Sequence, residues 1–192
     1  MRRPMAGGRI GVKSIWGGIW QLECGLAALL RRPGCPMAPH KNSGRFTGDK
    51  AMDEGHKKRM ILEFLRKHTL AVIATCHHDG TPEAATVDVS VRDNLEIVFD
   101  TFKETRKFDN LVERPSVAFV VGWSDNITVQ YEGEATQVPV ADLEQYQQAH
   151  LDSVPAEREF LERGAVMFKA TPRWIRYSDF NREPPELIEI RF

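Results

Sequence analysis

Cysteine is sparse in this chain, and the three present, Cys24, Cys35 and Cys76, form an odd set without a CxxC spacing. A disulfide framework is therefore not expected, and a reducing, cytoplasmic setting is. Long apolar runs are also missing. The richest stretch, Ile15 to Leu30, is interrupted by Glu23 and several glycines, and falls short of the ~20 apolar residues that a membrane-spanning helix needs. It starts late and lacks a clear small-residue cleavage site, so neither a membrane association nor a secretory leader is expected. No G-x-S-x-G elbow occurs, which disfavours a Ser-His-Asp hydrolase built on that turn. No internal repeat is visible.

Acidic residues are scarce at the start. Residues 1–50 carry nine Arg and Lys against Glu23 and Asp49, a net charge of +7, and hold nine of the 14 glycines. The remainder is acidic, with a net charge of −8. A basic, glycine-rich segment without sustained periodicity reads as largely disordered, with Ile15 to Leu30 as its one candidate amphipathic helix. An organelle transit sequence or a weak nucleic-acid arm would share this composition. The preferred expectation is a dispensable extension over residues 1–51, or a start assigned too far upstream, with Met52 at the true beginning. No nucleic-acid partner is expected.

From residue 52 to 192 the pattern is that of one domain with a real core. Met60, Ile61, Phe64 and Leu65 give Asp53 to His68 an amphipathic helical face. Apolar or alternating runs predict strands at 70–75, 84–91, 95–99, 117–121, 127–138, 164–170, 173–177 and 187–192, and helices at 140–151 and 156–163. Asp79-Gly80 marks a hairpin, since both residues tolerate φ > 0. Closely spaced strands joined mostly by tight turns predict an antiparallel β-barrel with flanking helices.

The most informative stretch is Thr101-Phe102-Lys103-Glu104-Thr105-Arg106-Lys107. A strand ends there and a helix begins, its apolar face formed by Phe108, Leu111 and Val112 and its end marked by Pro115. Thr105 can cap the helix, which puts Arg106 and Lys107 in the first turn. Each cation there opposes the helix dipole by about 0.3–1 kcal/mol. A bound phosphate would reverse that sign, because backbone N–H groups, a guanidinium and an ammonium would converge on it. The competing reading is that both side chains simply point into water. Cys76-His77-His78-Asp79 contains metal-ligand types, but neighbouring strand residues face opposite sides and a tight turn cannot gather four ligands around one ion. His68 and His150 read as solvent-facing or capping residues.

Residues 70–138 resemble the flavin-binding split barrels of the pyridoxamine 5′-phosphate oxidase superfamily. The resemblance rests on ordered pieces: Ala74-Thr75 to Gly80-Thr81-Pro82, Phe99-Asp100-Thr101 followed by Thr105-Arg106-Lys107, Arg114-Pro115-Ser116-Val117, and Trp123 followed by Tyr131-Glu132-Gly133. It implies a split antiparallel barrel, a homodimer, and FMN held in clefts between the subunits. It further implies that Thr105, Arg106 and Lys107 take the phosphate, and that Thr101 and the backbone of Thr86, Val87 and Asp88 follow the ribityl chain and ring. Trp123 would help to wall the cleft.

The chain departs from the oxidase pattern at Ala85 and Ser90, where that pattern has cations, and at Thr128, where it has a glutamine. Trp174 to Phe180 also lacks the pyridoxal-phosphate signature. The expected activity is therefore FMN-dependent oxidoreduction of a small molecule rather than pyridoxal phosphate formation. A non-catalytic flavin- or haem-binding module and an F420-dependent reductase are the alternatives. Asp88 and Arg176 are candidate substrate contacts, although strand-face and ion-pair roles suit them better.

Overall fold

The structure, a computed structural model, describes residues 52–192. The expected extension at 1–51, with its candidate helix, lies outside the described residues. Helix α1 (Glu54–Lys67) leads into the hairpin of β1 (Leu70–Cys76) and β2 (Pro82–Asp88), then β3 (Ser90–Val91), β4 (Ile97–Thr101) and α2 (Arg106–Glu113). Strands β5 (Ser116–Val121) and β6 (Ile127–Gln137) follow. After them, single 3-10 turns introduce α3 (Leu143–Ser153) and the short α4 (Arg158–Glu162), and β7 (Val166–Asp179) and β8 (Glu186–Arg191) close the chain.

All the pairings are antiparallel, in the order β2-β1-β5-β6-β7-β4-β3, with β8 added to β7. The long β7 pairs with β4 through Val166 to Ala170 and with β8 through Trp174 to Asp179. The sheet curls so that β2 and β4 approach each other, yet no ladder joins them. The result is an antiparallel split half-barrel with flanking helices.

Alternation produces the core. On β1, Ala71, Ile73 and Thr75 point inward, as do Val117, Phe119 and Val121 on β5. Phe99 meets both Phe119 and Phe168, with ring centroids 5.6 and 5.7 Å apart, and Phe119 packs edge-on against Tyr131. Burying a large apolar side chain contributes about 1.5–3 kcal/mol, so this aromatic cluster is a principal source of stability. Tyr131 donates its hydroxyl to the Ala170 carbonyl at 2.6 Å, satisfying a polar group inside the apolar centre.

Several expected elements are redrawn. The strand expected over 84–91 breaks at Val89, whose N–H turns to the Thr69 carbonyl, so that β2 stays with β1 while β3 joins β4. The strand expected at 95–99 starts two residues later. Leu95 adopts φ 67° and its N–H bonds to the Arg92 carbonyl, prolonging the turn. In the β1–β2 hairpin only Gly80 has positive φ; Asp79 acts through its side chain, which accepts from the Thr81 N–H at 2.8 Å.

The two strands expected at 164–170 and 173–177 are one. Pro172 cannot donate to a ladder, and the register shift between Glu132 and Gly133 accommodates it, with Gly133 opposite Pro172 and Glu132 opposite Trp174. A Cβ on Gly133 would lie 2.4 Å from the Thr171 carbonyl oxygen. Gly133→Ala is therefore expected to destabilise the fold by about 1–3 kcal/mol, read as a lower urea midpoint with an unchanged slope.

Candidate functional site

The end of β4 and the start of α2 form a single switch in the chain. Thr101, almost fully buried, places its hydroxyl 2.8 Å from that of Thr105. Thr105 occupies the N-cap position but donates its hydroxyl to the Phe102 carbonyl, and makes no side-chain bond to the helix. The expected side-chain cap is therefore absent. Its hydroxyl is used to close the tight turn before α2, and the N–H groups of the first helical turn are left without that partner.

Thr105, Arg106 and Lys107 line a cleft of about 170 Å³ together with Ile73, Thr75 and Glu83 to Ala85. The cleft opens beside the edge of β2 that faces away from β1. Thr86, Val87 and Asp88 continue along this strand, with Thr86 exposed and Val87 turned into the core. Thr101, Thr105, Arg106 and Lys107 are thus gathered at one end of the unpaired gap, and Thr86 to Asp88 run from it along β2. Trp123 is not brought to this cleft; it sits half exposed in the turn after β5. Arg176 is also elsewhere, paired with Glu189 at 2.9 Å across β7 and β8.

Two residues that sequence reasoning passed over complete the cleft. Arg106 Nη1 donates to Glu83 Oε1 at 2.6 Å, and Asn110 Nδ2 donates to Glu83 Oε2 at 2.9 Å and Thr75 Oγ1 at 3.0 Å. Asn110 is buried on the inner face of α2. Burial holds the Lys107 ammonium below the usual lysine range, with Asp100 opposing that shift. The donor set, a guanidinium, an ammonium and uncapped helical N–H groups beside an open strand edge, fits a phosphorylated ligand.

A second polar group lies under the arm formed by α3 and α4. Glu157, buried in the turn before α4, lies close to the carboxylates of Asp88 and Asp100. Burial, followed by the charge of Asp100, pushes Glu157 up to about 7, and burial also raises Asp100. Burial and the crowding of carboxylates therefore favour the protonated forms of Glu157 and Asp100. His150 is fully buried beside them, with Nδ1 2.9 Å from Ser90 Oγ. This corrects the solvent-facing or capping role expected for it; the interior side of α3 delivers it to β3. His68, by contrast, stands at the C-cap of α1 with Nδ1 2.8 Å from the Phe64 carbonyl.

A family model described as pyridoxamine 5′-phosphate oxidase matches residues 58–179. A pyridoxine/pyridoxamine 5′-phosphate oxidase of Ehrlichia chaffeensis is 35% identical over 86 residues, which span 44% of this chain and 43% of that relative. The chain thus spans less than half the length of the relative it matches. Among solved structures, a haem binding protein from Mycobacterium smegmatis superposes with a TM-score of 0.62 at 17% identity, covering 70% of this chain and 57% of the other. General Stress Protein 26 from Bacillus anthracis superposes at 0.54 with 20% identity, covering 70% and 99%. A pyridoxamine 5′-phosphate oxidase-related, FMN binding protein from Nostoc punctiforme gives 0.50 at 12% identity, covering 74% and 98%.

The buried carboxyl group has a testable pH signature. Glu157 titrates from about 7 when folded towards its ordinary 4.5 when unfolded, so its stabilising contribution is full below 4.5 and is lost as pH rises through 7. His150, pushed down by burial to about 4 from 6.5, has the opposite sign: its contribution is full above 6.5 and is lost as pH falls towards 4. Between 4.5 and 6.5 the two offset; above 6.5 the carboxyl acts alone. Wild type is expected to lose melting temperature as pH rises through 7. Glu157→Gln should abolish that loss and become acid-labile below 6.5. The same alkaline decline in the variant would refute the assignment.

Proposed function

Since the chain belongs to the pyridoxamine 5′-phosphate oxidase family, we propose that it is an FMN-dependent oxidoreductase acting on a small molecule. The observation that carries this reading is the cleft at the unpaired gap, where Thr105, Arg106 and Lys107 face β2. FMN, when bound, supplies hydride and single-electron transfer. The chain supplies position and electrostatics. Arg106, Lys107 and the first-turn N–H groups of α2 hold the phosphate, the Thr101 and Thr105 hydroxyls lie beside it, and the backbone of Thr86, Val87 and Asp88 lines the path of the rest.

Formation of pyridoxal phosphate is not the proposed reaction. Ala85 lines the cleft without charge, Ser90 is turned to His150, and Thr128 lies opposite Ser178 on the β6–β7 ladder. These replacements remove two cations and an amide from the oxidase pattern. The likeness to the haem binding protein is one of fold, and a deazaflavin such as F420 would use the same cationic end. Both are alternatives that a spectrum separates.

The proposed assembly is a homodimer. Leu70, Val72, Ala118, Val120 and Leu187 share the outer face of β1, β5 and β8, and Leu70, Val120 and Leu187 are each more than a third exposed. Thr86 lies on that same face opposite Val72. A second copy packed there would cover apolar surface and border the cofactor path, and the exposed Trp123 would wall the partner's cleft rather than its own.

Purified protein is expected to bind FMN stoichiometrically and to show flavin absorption. Each charge-assisted hydrogen bond contributes about 1.5–3 kcal/mol, so Arg106→Ala/Lys107→Ala should weaken FMN by about two orders of magnitude or more. Riboflavin, which lacks the phosphate, should bind both proteins alike. A haem spectrum, or binding of F420 without FMN, would replace the reading.

A further inference from the structure

Arg106 already has a partner in the cleft. Its guanidinium is engaged by Glu83, whose side chain is only 15% exposed while that of Arg106 is 81% exposed. Glu83 cannot simply swing aside, because its other oxygen accepts from Asn110, and Asn110 is itself buried and tied to Thr75. A carboxylate fixed by a buried amide therefore lies within the same cleft as the two cations and the α2 N-terminus. Ala84 and Ala85, its neighbours in the cleft, add no compensating charge.

Resting on the FMN reading of this cleft, we propose that Glu83 is a built-in competitor for Arg106 that sets how strongly the site takes a phosphate group. The carboxylate takes the Nη1 end of the guanidinium and offsets part of the positive charge that would draw the phosphate. Binding of a phosphorylated ligand exchanges one anion for another at Arg106, and the displaced carboxylate stays close by, held by Asn110. A like charge at that distance opposes the incoming phosphate. A ligand without phosphate leaves the Glu83–Arg106 pair intact and is indifferent to it. The site thus discriminates between phosphorylated and unphosphorylated forms less sharply than its two cations alone would allow.

The opposite role is equally concrete: by gripping one face of the guanidinium, Glu83 would pre-orient Arg106 and aid the phosphate. Fluorescence titration of the full chain with FMN and with riboflavin separates the two, using wild type, Glu83→Gln, Arg106→Ala and the double variant. Competition predicts that Glu83→Gln tightens FMN at least threefold and leaves riboflavin unchanged. It also predicts that Arg106→Ala costs more in the Glu83→Gln background than in wild type. Weaker or unchanged FMN binding by Glu83→Gln overturns the proposal. If neither protein binds FMN, the flavin reading fails, and inorganic pyrophosphate decides the competition separately: it must raise the melting temperature of Glu83→Gln more than that of wild type, and equal shifts overturn it.

Discussion

The gap between β2 and β4 is the constraint on which the rest of the molecule depends. Strands β1, β5, β6 and β7 satisfy their backbone groups on both sides through antiparallel ladders, whereas β2 ends the sheet path with one edge unpaired. Closing the gap would satisfy that edge but would bury the surface beside which α2 begins. The chain prevents closure by leaving the sheet twice, once at Val89, so that β3 pairs with β4 instead of continuing β2, and again after Thr101, where α2 begins and sets Arg106 and Asn110 against Glu83 of β2. The aromatic cluster of Phe99, Phe119, Tyr131 and Phe168 fills the interior and keeps the half-barrel curled without the missing ladder.

Charge is arranged around this gap in two opposed groups. At one end, Arg106 and Lys107 stand at the positive pole of α2, with Arg106 paired to the fixed carboxylate of Glu83. Farther along, Asp88, Asp100 and Glu157 meet under the α3–α4 arm, where burial and neighbouring negative charge raise Glu157 and Asp100 above their ordinary values. Asp100 belongs to both, because it also interacts with Lys107. Adjacent residues of β4 thereby serve different regions: the Thr101 hydroxyl faces the α2 turn, while Asp100 faces the arm. Phe160 of α4 packs near Phe102, with the Arg163 guanidinium over both rings, and so fastens the arm to the turn that precedes α2.

Much of this was legible in the sequence where local rules decide. Alternation located the strands, the 3.6-residue pattern located α1 and α2, and the strand-to-helix change with Arg106 and Lys107 pointed to the cleft. What was not legible depends on pairing between distant segments. Val89 continues the apolar alternation of β2, and nothing nearby signals that its N–H turns to Thr69. Gly133 and Pro172 explain each other only once β6 and β7 are in register. Glu83 and Asn110 lie 27 residues apart and are ordinary surface types in isolation; only the β1–β2 register and the inner face of α2 bring them together. The burial of His150 is not legible either, because a polar residue near a helix end usually meets water, whereas here α3 lays it against Ser90.

Strand β7 carries a consequence for how the protein is made. It is the common neighbour of β4, β6 and β8, and its pairings with β4 join residues some seventy positions apart. During synthesis, β1, β2, β5 and β6 can assemble as hairpins and neighbours as they emerge, but β4 has no ladder partner except the two-residue β3 until residues 166–170 follow. Such long-range closure is slow relative to local pairing. The nascent chain therefore carries β4 and the β7-facing edge of β6 unjoined until β7 is made, and its exposure to aggregation and to chaperones is greatest just before β7 leaves the ribosome.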